Sequence, residues 1–169
     1  ICFPVMVKPE MGERGIGVEL INNLISLVAY SRASPTDFLI QEYIAHSNEV
    51  GIFYHRMPKD KSGKITGIVG KELLSIKGDG QASLKQLIGK SDRHLLQFDT
   101  LQKLYGNEFD EVLPLGFEKL LVPYGNHCRG AKFFDLSDQI DTELTATIDH
   151  LCQQIPDFYF GRLDIKFQN

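Results

Sequence analysis

Apolar residues dominate Val5 to Lys8 in a strand pattern, and Pro9, which has no N–H to add to a ladder, ends that strand at Lys8. Glycines at 12, 15 and 17 follow, and Gly15 to Leu20 reads as a short return strand. Asn22 or Asn23 caps a predicted helix on which Leu24, Leu27, Val28 and Ile21 share a face, ending near Ser34 and Pro35. Phe38 to Ile44 contains no breaker and suits the centre of a sheet. Glu49 to Met57 alternates, with Val50, Ile52 and Tyr54 on one face; a polar turn at 58–63 then leads into Lys64 to Ser75 as the partner strand of a hairpin.

After the turn KGDG at 77–80, Ser83 caps a helix carrying Leu84, Leu87 and Ile88. A second helix is expected from Asp92 to Tyr105, with Leu95, Leu96, Phe98 and Leu101 as its apolar set and Gly106 as its stop. The stretch 107–116 gives no clear pattern, Glu118 to Val122 and Ala131 to Leu136 read as strands, and 123–130 as a loop. Ser137 or Asp138 starts the last helix, with Ile140, Leu144, Ile148 and Leu151 at helical steps; Pro156 ends it, and Tyr159 to Phe167 alternates as a strand. The fold class expected is α+β, with a smaller lobe over 1–57 and a larger one over 58–169 whose mixed sheet carries helices on one side.

With 169 residues, 43% of them apolar and 24% charged, the chain can bury a core without staples, and no apolar run approaches the length of a membrane span. Eighteen basic against 22 acidic residues, spread along the chain, argue against nonspecific nucleic-acid binding and leave room for a local phosphate site. Cys2, Cys128 and Cys152 are an odd set without CxxC spacing, which speaks against a disulfide framework and a zinc knuckle. A reducing compartment, the cytoplasm, is the expected location. Opening and closing on strand patterns, the sequence reads as an excised piece of a longer chain.

The glycine-rich stretch EMGERGIGV at 10–18 can wrap phosphate oxygens with peptide N–H groups, and Lys8 at the preceding strand end can supply a point charge. It lacks both GxxxxGK[ST] and GxGxxG, so it is neither a Walker loop nor a dinucleotide fingerprint. A plain glycine-rich turn between two strands is the alternative. Arg162 and Asp164 alternate onto one face of their strand, where a carboxylate can hold magnesium and a guanidinium can meet a phosphoryl group; an ordinary cross-strand ion pair has the same pattern. His127 and Cys128 are set aside as metal or nucleophile candidates, because no partner stands at metal-ligand spacing.

In order, FPVMVKP at 3–9, ERGIGV at 13–18, IQEYI at 40–44 with Glu49 following, GKELLSIKGDG at 70–80, GNHCRG at 125–130 and GRLDIKF at 161–167 resemble the ATP-grasp fold. The similarity is to its carboxylate–amine ligase branch, which includes D-alanine–D-alanine ligase, cyanophycin synthetase and the glutathione-synthesising ligases. The segment KELLSIKGDG is closer to the cyanophycin and glutathione pattern, but lacks the arginine-rich form often found there.

The resemblance implies two α+β lobes with ATP between them, joined to a substrate-binding domain before this chain and a metal-binding strand after it. It implies that Lys8 contacts the α and β phosphates while Arg14, Gly15 and Gly17 close over the triphosphate. Gln41, Glu42, Tyr43 and Ile44 would hold the adenine, and Glu49 would accept from the ribose hydroxyls. Lys71 would reach the phosphates, Asn126 and Arg129 would orient a carboxylate or acyl phosphate, Arg162 would stabilise the transferred phosphoryl group, and Asp164 would bind magnesium or manganese. The family's further ligands, a glutamate and an asparagine in an ExN strand, are not assigned, and Asn169 belongs to the turn rather than to that pair.

The implied partners are a small carboxylate and an amine or amino acid, without nucleic acid or membrane, and with a homodimer left open. The implied reaction joins them through an acyl phosphate at the expense of ATP, in the full-length parent rather than in this piece. A nucleotide-binding regulatory module of the same fold and an unrelated interaction domain are the competing readings.

Overall fold

A pattern of three consecutive buried residues, Val5, Met6 and Val7, marks the first strand as the middle of its sheet. In the computed structural model, which describes residues 2–168, β1 (Val5–Pro9) lies between β2 (Glu19–Ile21) and β3 (Phe38–Glu42), antiparallel to both. The strand expected at the centre, Phe38 to Ile44, is thus an edge strand that stops at Glu42, with Leu39 60% exposed. The return strand starts only at Glu19, because Arg14, Gly15 and Gly17 have left-handed backbones that no strand can contain. Helix α1 (Leu24–Ala33), capped by the Asn23 side chain on the Ser26 N–H, packs Leu27 onto Val5, Val7 and Ile21.

The chain divides into two compact units, each built from two stretches. The first holds the residues up to Ala45 together with Leu73–Ala131, and the second His46–Glu72 with Lys132 onward. A cut between Met57 and Pro58 would instead fall inside a β-hairpin.

The later stretch of the first unit pairs β6 (Ser75–Lys77) with β7 (Glu118–Leu120). It encloses a core of Leu74, Leu84, Ile88, Leu101, Phe109 and Leu121. Helix α2 (Leu84–Ile88) starts on a capping box between Ser83 and Gln86. The single helix expected from Asp92 is two, α3 (Asp92–Leu95) and α4 (Phe98–Tyr105), since Leu96 turns outward at 83% exposure while Leu101 is fully buried. Gly106 does end α4, and the unassigned stretch after it forms a 3-10 turn that buries Phe109.

In the second unit, β4 (Asn48–His55), β5 (Lys64–Glu72), β8 (Lys132–Asp135) and β9 (Phe160–Phe167) form one sheet in the order β8-β5-β4-β9. All its pairs are antiparallel, so the expected mixed sheet is corrected. β5 ends at Glu72 instead of continuing to Ser75, since Leu74 belongs to the core of the first unit. One face carries Val50, Ile52, Tyr54, Ile65 and Ile68 against Ile148 and Cys152 of α5 (Thr142–Gln153). Ile65 and Ile68 are three apart, which strict alternation forbids on one face. A bulge resolves this: Phe53 pairs with Gly67 but Tyr54 pairs with Ile65, leaving Thr66 as the extra residue.

Helix α5 begins five residues after Ser137, the first start considered above, because Ser137 is occupied at the end of β8. Its hydroxyl bonds the Asp135 carboxylate at 2.5 Å and accepts from the Ile68 N–H at 3.2 Å. Asp141 takes the cap instead, accepting from the Leu144 N–H at 2.7 Å. Asp141→Ala is expected to cost about 1 kcal/mol in urea unfolding, and an unchanged midpoint would show that the cap adds nothing.

Candidate functional site

The bulge at Thr66 decides what stands on the outer face of the second unit's sheet. With the register it sets, Glu49 lies opposite both Lys71 on β5 and Lys166 on β9, while Gly51 lies opposite Asp164 and Phe53 opposite Arg162. Alternation along the three strands then puts Glu49, Lys71, Arg162, Asp164 and Lys166 on one face. The Lys71 ammonium bridges Glu49 Oε1 and Asp164 Oδ1, at 2.8 Å each, with its side chain only 3% exposed. Arg162 Nη2 donates to Asp164 Oδ2 at 3.0 Å, and Lys166 Nζ lies 3.9 Å from Glu49 Oε2. Gly51 makes room for this arrangement: a Cβ there would stand 3.0 Å from Arg162 Cδ and 3.3 Å from Asp164 Oδ1.

The electrostatics follow from the contacts. Burial works to raise the Asp164 pKa, but hydrogen bonding and charge from Lys71, then from Arg162, outweigh it and hold the carboxyl below its usual range. Burial pushes the Lys166 ammonium down; Glu49 opposes the shift and Lys71 adds to it. Three cations face two carboxylates in this linked group, an excess of one positive charge that favours an anion on the exposed side.

A ribose role for Glu49 would need an accessible carboxylate, whereas here it is 9% exposed and bound to Lys71. Lys71, assigned to phosphates, is turned to two carboxylates. Lys166 escaped the reading of GRLDIKF, although the alternation that joins Arg162 to Asp164 includes it. Among the described residues no three His, Cys, Asp or Glu side chains converge as a metal cage. Asp164 fits the smaller share that magnesium asks of a protein when phosphates supply most of its ligands.

The first unit holds the remaining candidates in two places. Lys8 Nζ donates to Gln41 Oε1 at 2.5 Å across β1 and β3. Gln41 and Glu42, as strand neighbours, face opposite sides of the sheet, and Tyr43 and Ile44 follow it half-buried. A groove of about 640 Å³, lined by Pro9, Ile16, Glu19, Ile21, Ala29 and Tyr30, opens on the α1 side, away from Lys8 and Gln41.

Arg129 meets the glycine-rich loop: Nε donates to the Arg14 carbonyl at 3.2 Å and Nη2 to the Gly15 carbonyl at 3.3 Å. Asn126 caps its own turn, accepting from the Cys128 N–H at 2.9 Å. The tyrosines that also hold the loop, Tyr30 and Tyr124, carried no signal in the sequence, because a hydroxyl bound to a distant carbonyl leaves no local pattern.

Cys2 and Cys128 are exposed and Cys152 is buried, all as free thiols. No helix among the described residues is long and apolar enough to cross a membrane. Asn169 lies outside the described residues.

No protein-family model and no curated protein sequence matches the chain. Among solved structures it is similar to a bifunctional glutathione synthetase from Pasteurella multocida, at 14% identity and a TM-score of 0.41 over 98% of this chain. The chain spans 24% of the length of that protein, and a likeness this loose does not fix the fold.

Proposed function

We propose that this chain is the nucleotide-binding part of an ATP-dependent carboxylate–amine ligase of the ATP-grasp kind. The observation that carries the reading is the cationic group Lys71, Arg162 and Lys166, anchored by Glu49 and Asp164 on one sheet face. Preorganised cations of this sort stabilise charge on a transferring phosphoryl group without rearranging during the reaction.

In the proposed reaction a carboxylate oxygen attacks the γ-phosphorus of ATP and ADP leaves. An amine then attacks the acyl carbon, the carbon–oxygen bond to phosphate breaks, and the amine loses a proton to give an amide. Arg162, half-exposed beside Asp164, would meet phosphoryl oxygens, while Lys71 holds the Asp164 carboxylate in position. Within the first unit, Lys8 and the N–H groups of Gly15 and Gly17 are proposed to bind phosphate oxygens. Magnesium, when bound with the triphosphate, would neutralise its charge, and Asp164 is the residue proposed to touch it.

Calorimetry with ATP, with and without magnesium, tests this on the chain and on Asp164→Ala. Magnesium-dependent binding that weakens about tenfold or more in the variant is the expected result. A folded chain that binds no ATP would falsify the ligase reading and the nucleotide site together. A second reading, a module that binds nucleotide without ligating, is favoured by the ion pairs that already occupy both Asp164 oxygens. Magnesium–ATP binding by the full-length parent without amide formation from any acid and amine offered would support it.

A further inference from the structure

We propose that Arg129 is a positioning residue of the glycine-rich loop, holding the Arg14 and Gly15 carbonyls so that the N–H groups of Gly15 and Gly17 are left for an anion. Three side chains of the first unit grip the loop, and every one of them grips an oxygen. Arg129 donates to the carbonyls of Arg14 and Gly15. Tyr124 Oη lies 3.4 Å from the Gly15 carbonyl and 3.5 Å from that of Val18, and Tyr30 Oη donates to the Gly17 carbonyl at 2.7 Å. The N–H groups of Ile16 and Val18 are taken within the loop by the Glu13 and Gly15 carbonyls, at 3.1 and 3.5 Å, whereas those of Gly15 and Gly17 meet no acceptor among the described residues.

A carbonyl turned toward a phosphate repels it, and an N–H attracts it, so fixing the oxygens on one side is what makes such a loop selective for anions. Arg14, Gly15 and Gly17 have φ of +56°, +69° and +72°, so the loop is a tightly turned backbone rather than a strand. For Arg14 the left-handed region is an unfavourable place that a side chain rarely accepts without outside support. Arg129 supplies that support, because its Nε holds the Arg14 carbonyl. The fit is close, since a Cβ on Gly15 would lie 3.2 Å from Tyr124 and 3.3 Å from both Arg129 and Asn126.

The test needs no ligand. The Arg14–Gly15 bond is a trypsin site whose side chain is 68% exposed, but whose carbonyl is held by Arg129 in a turned backbone that a protease cannot accept. Release of the fragment ending at Arg14, followed by mass spectrometry, is expected to be slow in the wild type. In Arg129→Met it should be about tenfold faster, and in Arg129→Lys intermediate, because an ammonium lacks the fork that spans two carbonyls. Tyr124→Phe, which keeps the ring in the core and removes only the hydroxyl, should speed the same cleavage by a few-fold, about threefold.

Cleavage after Lys59 and Lys61, in the other unit, should not change. Equal rates at Arg14 in all four proteins would overturn the proposal; should Arg129→Met be cut everywhere because it unfolds, Tyr124→Phe decides by the same criterion. The phosphate role rests on the nucleotide reading, so the variants are also titrated with ATP. Weaker binding in Arg129→Met and Tyr124→Phe is expected. A latch that controls cleavage while the wild type binds no ATP would leave the positioning intact and remove only the nucleotide.

Discussion

Lys71→Met is expected to destabilise the protein by about 3 kcal/mol, the lower end of what breaking a buried ion pair costs. The substitution keeps the length of the side chain and removes its charge. Glu49, 9% exposed, then keeps a carboxylate whose 2.8 Å partner is gone. The loss stays at the lower end because Asp164 is half-exposed and keeps Arg162, and because Lys166 stands 3.9 Å from Glu49.

Urea unfolding at neutral pH measures the cost, and the double variant Glu49→Leu/Lys71→Met separates its causes. If the penalty is a stranded charge, the double variant recovers most of the stability, since an apolar pair of similar size often replaces a buried ion pair without loss. A loss below about 1 kcal/mol in the single variant would mean that the bridge is dispensable.

The acid limb carries the same information. The Asp164 pKa is depressed in the folded state, so its contribution is present above the unfolded carboxylate value of about 4 and disappears as pH falls through the folded value. Lys71→Met, which removes the cation that contributes most to the depression, should flatten that loss.

Asp149→Ala is the second large effect, at about 3 kcal/mol, and it lies away from the proposed site. The carboxylate accepts from Tyr54 Oη at 2.6 Å, from the Gly63 N–H at 2.8 Å and from Gln153 Nε2 at 2.8 Å. It thereby ties the β4–β5 turn to α5. With alanine, the Tyr54 hydroxyl, on a residue 2% exposed, is left in the interior without its acceptor at about 1–3 kcal/mol, and the half-buried Gly63 N–H loses its acceptor at a smaller cost. Asp149→Asn keeps an acceptor for both and should cost about 1 kcal/mol. Equal losses for the two variants would show that charge, rather than pairing, is what matters at this position.

The two ends of the pH range separate the partners. Burial raises the Asp149 pKa, but hydrogen bonds from Tyr54, Gln153 and Gly63 and the charge of Arg56 prevail and lower it. Its stabilisation is therefore full above about pH 4 and is lost as pH falls. Tyr54 is pushed up to about 12, first by burial and then by its bond to Asp149. A raised tyrosine stabilises the fold below its unfolded pKa of about 10 and ceases to do so as pH climbs through the folded value. Stability should fall between pH 10 and about 12, and by less in Tyr54→Phe; Tyr105, also raised to about 12, keeps part of the fall.

Local chemistry was legible in the residues alone. Asn23 and Ser83 cap helices because their side chains reach backbone N–H groups three residues on, a rule that needs nothing distant. Val50, Ile52 and Tyr54 announce a strand with one buried face, and alternation alone puts Arg162 and Asp164 together. Which strand occupies the middle of a sheet was decided by packing: Phe38 to Glu42 is as apolar at its start as Val5 to Pro9, but only β1 finds a neighbour on each side. The helix expected from Ser137 yielded to a hydroxyl already bonded to a strand in the folded chain.

The site turned on a single residue of register. Without the extra residue at Thr66, the pairing of His55 with Lys64 would run on to set Glu49 against Gly70, and Lys71 would point to the opposite face. A strand's residues specify its alternation, whereas a bulge is fixed only when both Ile65 and Ile68 must be buried against α5. The sequence by itself determined which side chains carry charge and which stretches alternate; tertiary packing, through that bulge, brought Lys71 between Glu49 and Asp164.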